Sequence, residues 1–168
     1  MILYHGSNME VADIDLSKCQ KYKDFGQGFY LTSIKKQACD WAKKVTWRRS
    51  GKGRPILSVY EFDNDLSGLN AIILKEPNEN WATFIINNRN EYFTDHGDKL
   101  SNHDNKYDLV HGLVANDDIT TILETFLIGI LPMSELPKAL IYKELNDQYS
   151  FHTVKAISRL NFLRGEVL

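Results

Sequence analysis

Short β-prone runs and helical stretches follow one another along this chain without the regular strand-helix-strand alternation that builds a parallel sheet. The run Ile56–Phe62 (ILSVYEF) is rich in β-branched and aromatic residues, and Tyr107–Val114 (YDLVHGLV) has the same character. Between residues 33 and 49, in contrast, Ile34, Ala38, Trp41, Ala42 and Val45 recur at helical spacing behind Ser33, a good N-cap. Ile2–Tyr4 reads as a strand ending in a turn at His5-Gly6-Ser7-Asn8. Further helices are expected at 79–89, after caps at Asn116-Asp117-Asp118 with Ile119, Ile122, Leu123, Phe126, Leu127 and Ile130 on one face, and after Ser134. Residues 94–106 read as a loop. Strands near 149–152 and 161–167 close the chain around a helical turn at 155–158. This order predicts an α+β fold over residues 1–168 as one domain.

At 168 residues the chain is long enough to bury a core, and its 43% hydrophobic and 25% charged residues are those of a globular protein. The net charge of −2 gives no long-range attraction for nucleic acid or anionic membrane. No secretory signal or membrane-spanning run is present, and Cys19 and Cys39 lack metal-ligand or Cys-x-x-Cys spacing, so a cytoplasmic protein without membrane association is expected. The five histidines are dispersed, which predicts no metal. Phosphate-binding, dinucleotide-fold and serine-hydrolase motifs are missing.

Three segments carry chemistry as a set: Tyr4-His5-Gly6-Ser7; Phe25-Gly26-Gln27-Gly28-Phe29-Tyr30 followed by Trp41; and Asp147-Gln148-Tyr149-Ser150-Phe151. In order and spacing they resemble the poly(ADP-ribose) polymerase and diphtheria-toxin branch of the ADP-ribosyltransferases, which carries His-Gly, Gly-x-Gly-x-Tyr and a late glutamate. The whole chain is similar to a bacterial family of unknown function thought to belong to that superfamily, through Asp24–Thr32, Val114–Asp118 and Gln148–Thr153. The resemblance implies split, mostly antiparallel small sheets with flanking helices, and NAD as substrate with no metal. It implies a mono-ADP-ribosyltransferase that breaks the nicotinamide–ribose bond and passes ADP-ribose to a macromolecular acceptor, protein or nucleic acid. A bacterial toxin restrained by an inhibitory partner protein fits the same resemblance. The alternatives are an NAD glycohydrolase and a non-catalytic NAD or ADP-ribose-binding module.

By this resemblance His5, Tyr30 and Gln148 form the catalytic set, and His5, Gly6, Ser7, Gly28, Tyr30 and Trp41 bind the dinucleotide. His5 offers one donor and one acceptor to a ribose hydroxyl, and Gly6 lets backbone approach the nicotinamide amide. Tyr30 and Trp41 present faces to the pyridinium ring, although Trp41 at its helical position also suits a core. Gln148 departs from the family's glutamate: it keeps a hydrogen bond but supplies only a dipole where positive charge develops on the ribose. Glu61 and Asp117 are candidate accessory acids, with a solvated strand position and helix capping as their ordinary uses. Asp147, adjacent to Gln148, points to the opposite strand face. The cations from Lys43 to Arg54 suit either a solvated helix end or an anionic ligand, with Trp47 able to stack on a base.

Overall fold

In the computed structural model, residues 1–91, 100–114, 117–132, 134–136, 139 and 146–168 are described, the side chains of 117–120 and 127 excepted. The order is β1 (Ile2–Ser7), a 3-10 turn (Leu16–Lys18), β2 (Phe29–Leu31), α1 (Lys35–Arg48), β3 (Ile56–Phe62), β4 (Ala71–Leu74) and α2 (Glu79–Arg89). It continues with β5 (Leu109–Leu113), α3 (Asp117–Leu127), β6 (Asp147–Phe151), α4 (Val154–Ile157) and β7 (Leu160–Val167). The fold is α+β. Three strands form one sheet, β1-β3-β7, and four form the other, β2-β6-β5-β4. The pairings are antiparallel except β4 with β5.

Strand parity sorts the side chains into layers. Leu3 of β1, Tyr60 and Phe62 of β3, and Phe162 of β7 meet Phe29, Leu31, Tyr149, Phe151 and Leu109 of the second sheet in a core between the two sheets. The other face of the second sheet, with Val110 and Leu74, packs on Trp81, Phe84 and Ile85 of α2 and Leu123 of α3. The outer face of the first sheet, Tyr4, Leu57 and Val59, is covered by Ala38 of α1.

α1 buries Ala38, Ala42 and Thr46, an i, i+4, i+8 row, while Ile34 and Trp41 stay exposed. The helix lies so close to β1 that only small residues fit beneath it, which shifts the buried stripe away from Trp41. Ser33 is not the cap either. The N-cap is Ile34, whose N–H is accepted by the Thr32 hydroxyl, and Ser33 is drawn off to Asp147. β1 runs straight through His5 and Gly6 to Ser7 rather than turning there, because β3 pairs it along its full length. Sequence patterning passed over β4, a four-residue strand that aligns parallel to β5. Ile130 lies beyond the end of α3 and is 71% exposed, outside the apolar face expected of it. The expected helix after Ser134 falls largely outside the described residues, as do the caps before Asp117 and residues 94–99 of the expected loop.

The closeness of α1 to β1 is measured at Gly6. A Cβ there would stand 2.0 Å from the Ala38 carbonyl oxygen and 2.9 Å from the Ala42 nitrogen, both backbone atoms that cannot rotate away. Gly6→Ala must therefore push α1 off the sheet. The expected loss is about 2 kcal/mol, read as a lowered urea midpoint with an unchanged slope; an unaltered midpoint would show that this packing is not needed.

Candidate functional site

β1 and β2 belong to different sheets and touch through one rung. Tyr4 N–H donates to the Thr32 carbonyl at 2.9 Å, and Thr32 N–H donates back at 3.0 Å. In an antiparallel register the next such rung would join Gly6 to Tyr30. It is not formed with any described residue. Parity turns the Gly6 N–H and C=O to the same edge of β1 as those of Tyr4, away from β3, and turns the Tyr30 N–H and C=O toward β1. The strands thus open into a notch. Backbone donors and acceptors line both of its walls.

His5 bridges the notch. Its Nδ1 lies 2.8 Å from the Tyr30 carbonyl oxygen, and a carbonyl only accepts, so Nδ1 carries the proton and Nε2 is left as a lone-pair acceptor. The ring rests 4.5 Å from Phe29 between centroids. Burial lowers the His5 pKa, against the smaller opposing effect of the Tyr30 carbonyl, which keeps the ring neutral at pH 7. Ser7 shares His5's face one pair further along β1, opposite Ile56.

Tyr30 projects to the other side of its strand. Its hydroxyl donates to the Gly26 carbonyl at 2.6 Å and accepts the Phe25 N–H at 3.1 Å. The hydroxyl is therefore occupied in holding the glycine loop, and burial first, then the Asp24 carboxylate, pushes its pKa far up. Only the ring remains for a ligand. Gly26 has φ +92°, a left-handed value that a side chain resists. Gly28 has a different reason to be glycine: a Cβ there would lie 2.6 Å from His152 Nδ1 and 2.7 Å from Ser150 Oγ.

Gln148 stands in β6 opposite Gly112, and Ser150 stands opposite Tyr30. Gln148, Ser150 and Tyr30 consequently share one face of the second sheet. Asp147 faces the other way, where it accepts from the Ser33 hydroxyl at 2.9 Å and the Thr32 hydroxyl at 3.0 Å. Burial raises its pKa, yet the hydrogen bonds from His111, Ser33 and Thr32 together outweigh this and hold it below the usual carboxylate range. It ties β6 to the β2–α1 junction. Glu61 pairs with Ile2, four residues along β1 from Gly6, roughly 13 Å, and on the face opposite His5. The structure does not bring it to the notch. Asp117 opens α3, but its side chain lies outside the described residues. Trp41 is 44% exposed, on the helix that crosses Gly6, so it is not a core residue.

A family model described as a protein of unknown function (DUF3990) matches residues 1–162. The chain belongs to this DUF3990 family. No curated protein and no solved structure matches it. The match covers both strands that bound the notch, with His5 and Tyr30, takes in Gln148 and His152 as well, and ends within β7.

Sequence reasoning gave no role to His152, which this DUF3990 chain buries to 3% exposure beside Tyr30. Its Nδ1 is 2.9 Å from the Gln27 carbonyl oxygen, while its Nε2 and the Ser150 hydroxyl have no hydrogen-bond partner among the described residues. The alternation Gln148, Ser150, His152 was a usable signal, since it sets three polar groups on the face of β6 and its continuation opposite to Tyr149 and Phe151. Among the described residues no group of three or more His, Cys, Asp or Glu could hold a metal ion, and no helix is long and apolar enough to cross a membrane.

Burial lowers the His152 pKa from 6.5 to about 4, against the weaker effect of the Gln27 carbonyl. The native state therefore binds fewer protons than the unfolded chain between those values. Stability is full above pH 6.5 and falls as pH drops toward 4, by about 3 kcal/mol. Urea unfolding at a series of pH values should show this slope, and His152→Asn should flatten it; an equally steep slope in the variant would assign the loss to other groups.

Proposed function

We propose that the notch between β1 and β2 binds the nicotinamide end of NAD⁺ and that the protein is a mono-ADP-ribosyltransferase. The observation that carries this reading is the missing Gly6–Tyr30 rung. A carboxamide has one donor face and one acceptor face, and the Gly6 C=O and N–H meet it as a neighbouring strand would. Beside them the His5 lone pair accepts from a ribose hydroxyl. The exposed face of Trp41, on the helix over Gly6, offers the pyridinium ring an attraction of roughly 0.5–2 kcal/mol. That attraction fades as the departing nicotinamide becomes neutral, so it orients the substrate rather than lowering the barrier.

In the proposed reaction the bond between ribose C1′ and the pyridinium nitrogen breaks, and its electron pair leaves with nicotinamide. An acceptor oxygen or nitrogen bonds C1′ and releases a proton. In this reading Gln148 takes the position of the family's glutamate, from which a carboxylate would steady the developing cation, and its amide oxygen supplies a weaker dipole. Slow, single-unit transfer follows from this. The second reading, NAD binding without turnover, draws on the same glutamine and on Asp147 facing away from it; hydrolysis to free ADP-ribose is a third outcome of the same assay.

NAD⁺ labelled in the nicotinamide and in the adenine separates these readings. Nicotinamide release with adenine label on a macromolecule supports transfer, and release with free ADP-ribose supports hydrolysis. Saturable binding without release supports the module. His5→Ala should weaken NAD⁺ affinity by about tenfold, and unchanged affinity would remove the notch from the reading. Gln148→Glu should raise nicotinamide release by roughly ten- to a hundredfold. Equal rates for Glu, Ala and the native glutamine would place the reacting bond elsewhere.

A further inference from the structure

α1 ends in a surface that none of the three apolar clusters uses. Trp47 is 80% exposed and Trp41 44% exposed, and burying them elsewhere in the fold would have been favourable. Positions 41, 44 and 48 form one row of the helix, with 47 beside 44. The Lys44 ammonium lies 5.7 Å, and the Arg48 guanidinium carbon 5.9 Å, from the Trp41 ring centroid. Residues 41–54 contain Lys43, Lys44, Arg48, Arg49, Lys52 and Arg54, all exposed, and no acidic residue. Lys43, Arg48, Arg49, Lys52 and Arg54 make no ion pair with a described residue.

The cationic surface extends beyond the helix. Lys23, in the loop before β2, feels both Arg48 and Arg89, and burial together with those like charges lowers its pKa despite the attraction of Asp24. Asp24 is already engaged with Arg89 at 2.8 Å. The helix dipole accounts for cations in the last turn, Arg48 and Arg49. It does not account for two exposed indoles among them, nor for Lys52 and Arg54 past the end.

We propose that this face of α1 and the turn that follows it bind single-stranded nucleic acid, with bases stacked on Trp41 and Trp47 and phosphates on Lys43, Arg48, Arg49 and Lys52. Stacking needs an unpaired base, which a duplex does not offer, and an acidic peptide would answer the cations while leaving the indole faces without a planar partner. The two indoles are spaced roughly 9 Å along the helix axis. The chain carries a net charge of −2, so the attraction is local to this patch. α1 also crosses Gly6, which sets a bound strand beside the β1–β2 notch; Trp41 is shared with the NAD reading, whereas Trp47 and the cations belong to this surface alone, and the binding is measured without NAD.

The test is fluorescence anisotropy of a labelled single-stranded DNA and of its RNA counterpart, titrated with the intact protein at several salt concentrations. Saturable binding that weakens with salt is expected, along with a loss of about tenfold in Trp47→Ala and at least about tenfold in Arg48→Glu/Arg49→Glu. Lys18→Glu, the same kind of charge change on the 3-10 turn, should leave affinity within about twofold after correction for net charge. A preference between the two strands reports contact with the 2′-hydroxyl. The proposal falls if neither strand binds at low salt, if Lys18→Glu weakens binding as much as the α1 pair, or if the duplex or poly-glutamate competes as well as the single strand.

Discussion

Two hydrogen bonds between Tyr4 and Thr32 hold the strands β1 and β2 together, and the site depends on the fact that the pairing stops there. A second rung would merge the sheets locally and satisfy the Gly6 and Tyr30 backbone groups with each other. The imidazole of His5 is used instead, donating to the Tyr30 carbonyl and leaving the rest of the edge open. Buried backbone groups are seldom left without partners, which sets this stretch apart from the other edge of β1, paired with β3. α1 packs directly on Gly6 from the outer face of the first sheet.

Behind the notch, polar groups are held in an apolar setting by a few specific contacts. Gln27 spans from the 3-10 turn to His152, donating to the Leu16 and Cys19 carbonyls while its own carbonyl meets the imidazole. The Tyr30 hydroxyl closes the adjoining loop, and Asp147 fastens the start of α1. Each of these contacts fixes a loop end beside β2 or β6 of the second sheet. The glycines 26 and 28 serve that arrangement, one through its backbone angle and one by making room for His152.

Much of this was readable in the residues. ILSVYEF announced a strand, and the stretch 79–89 after Pro77-Asn78 a helix, with the bounds observed, because β-branched and aromatic residues suit a strand buried on both faces and Asn78 caps the helix. His5, Gly6, Tyr30 and Gln148 were also legible, as short motifs in a definite order. Other features were not. β4 is too short for a pattern and is made a strand by β5 beside it. The α1 stripe was misread by one position because its partner, the outer face of the first sheet, admits alanine and threonine but not tryptophan.

From composition and periodicity alone follow the α+β class, the principal elements and the opposed orientations of Asp147 and Gln148, since these depend only on local period and strand alternation. Tertiary structure decided the rest: that β1 and β2 part after one rung, that Glu61 lies away from His5, that the Tyr30 hydroxyl is turned inward and that both tryptophans of α1 stay at the surface. Each of these is set by which element packs on which. Such contacts join residues far apart in the chain, and no local pattern records them.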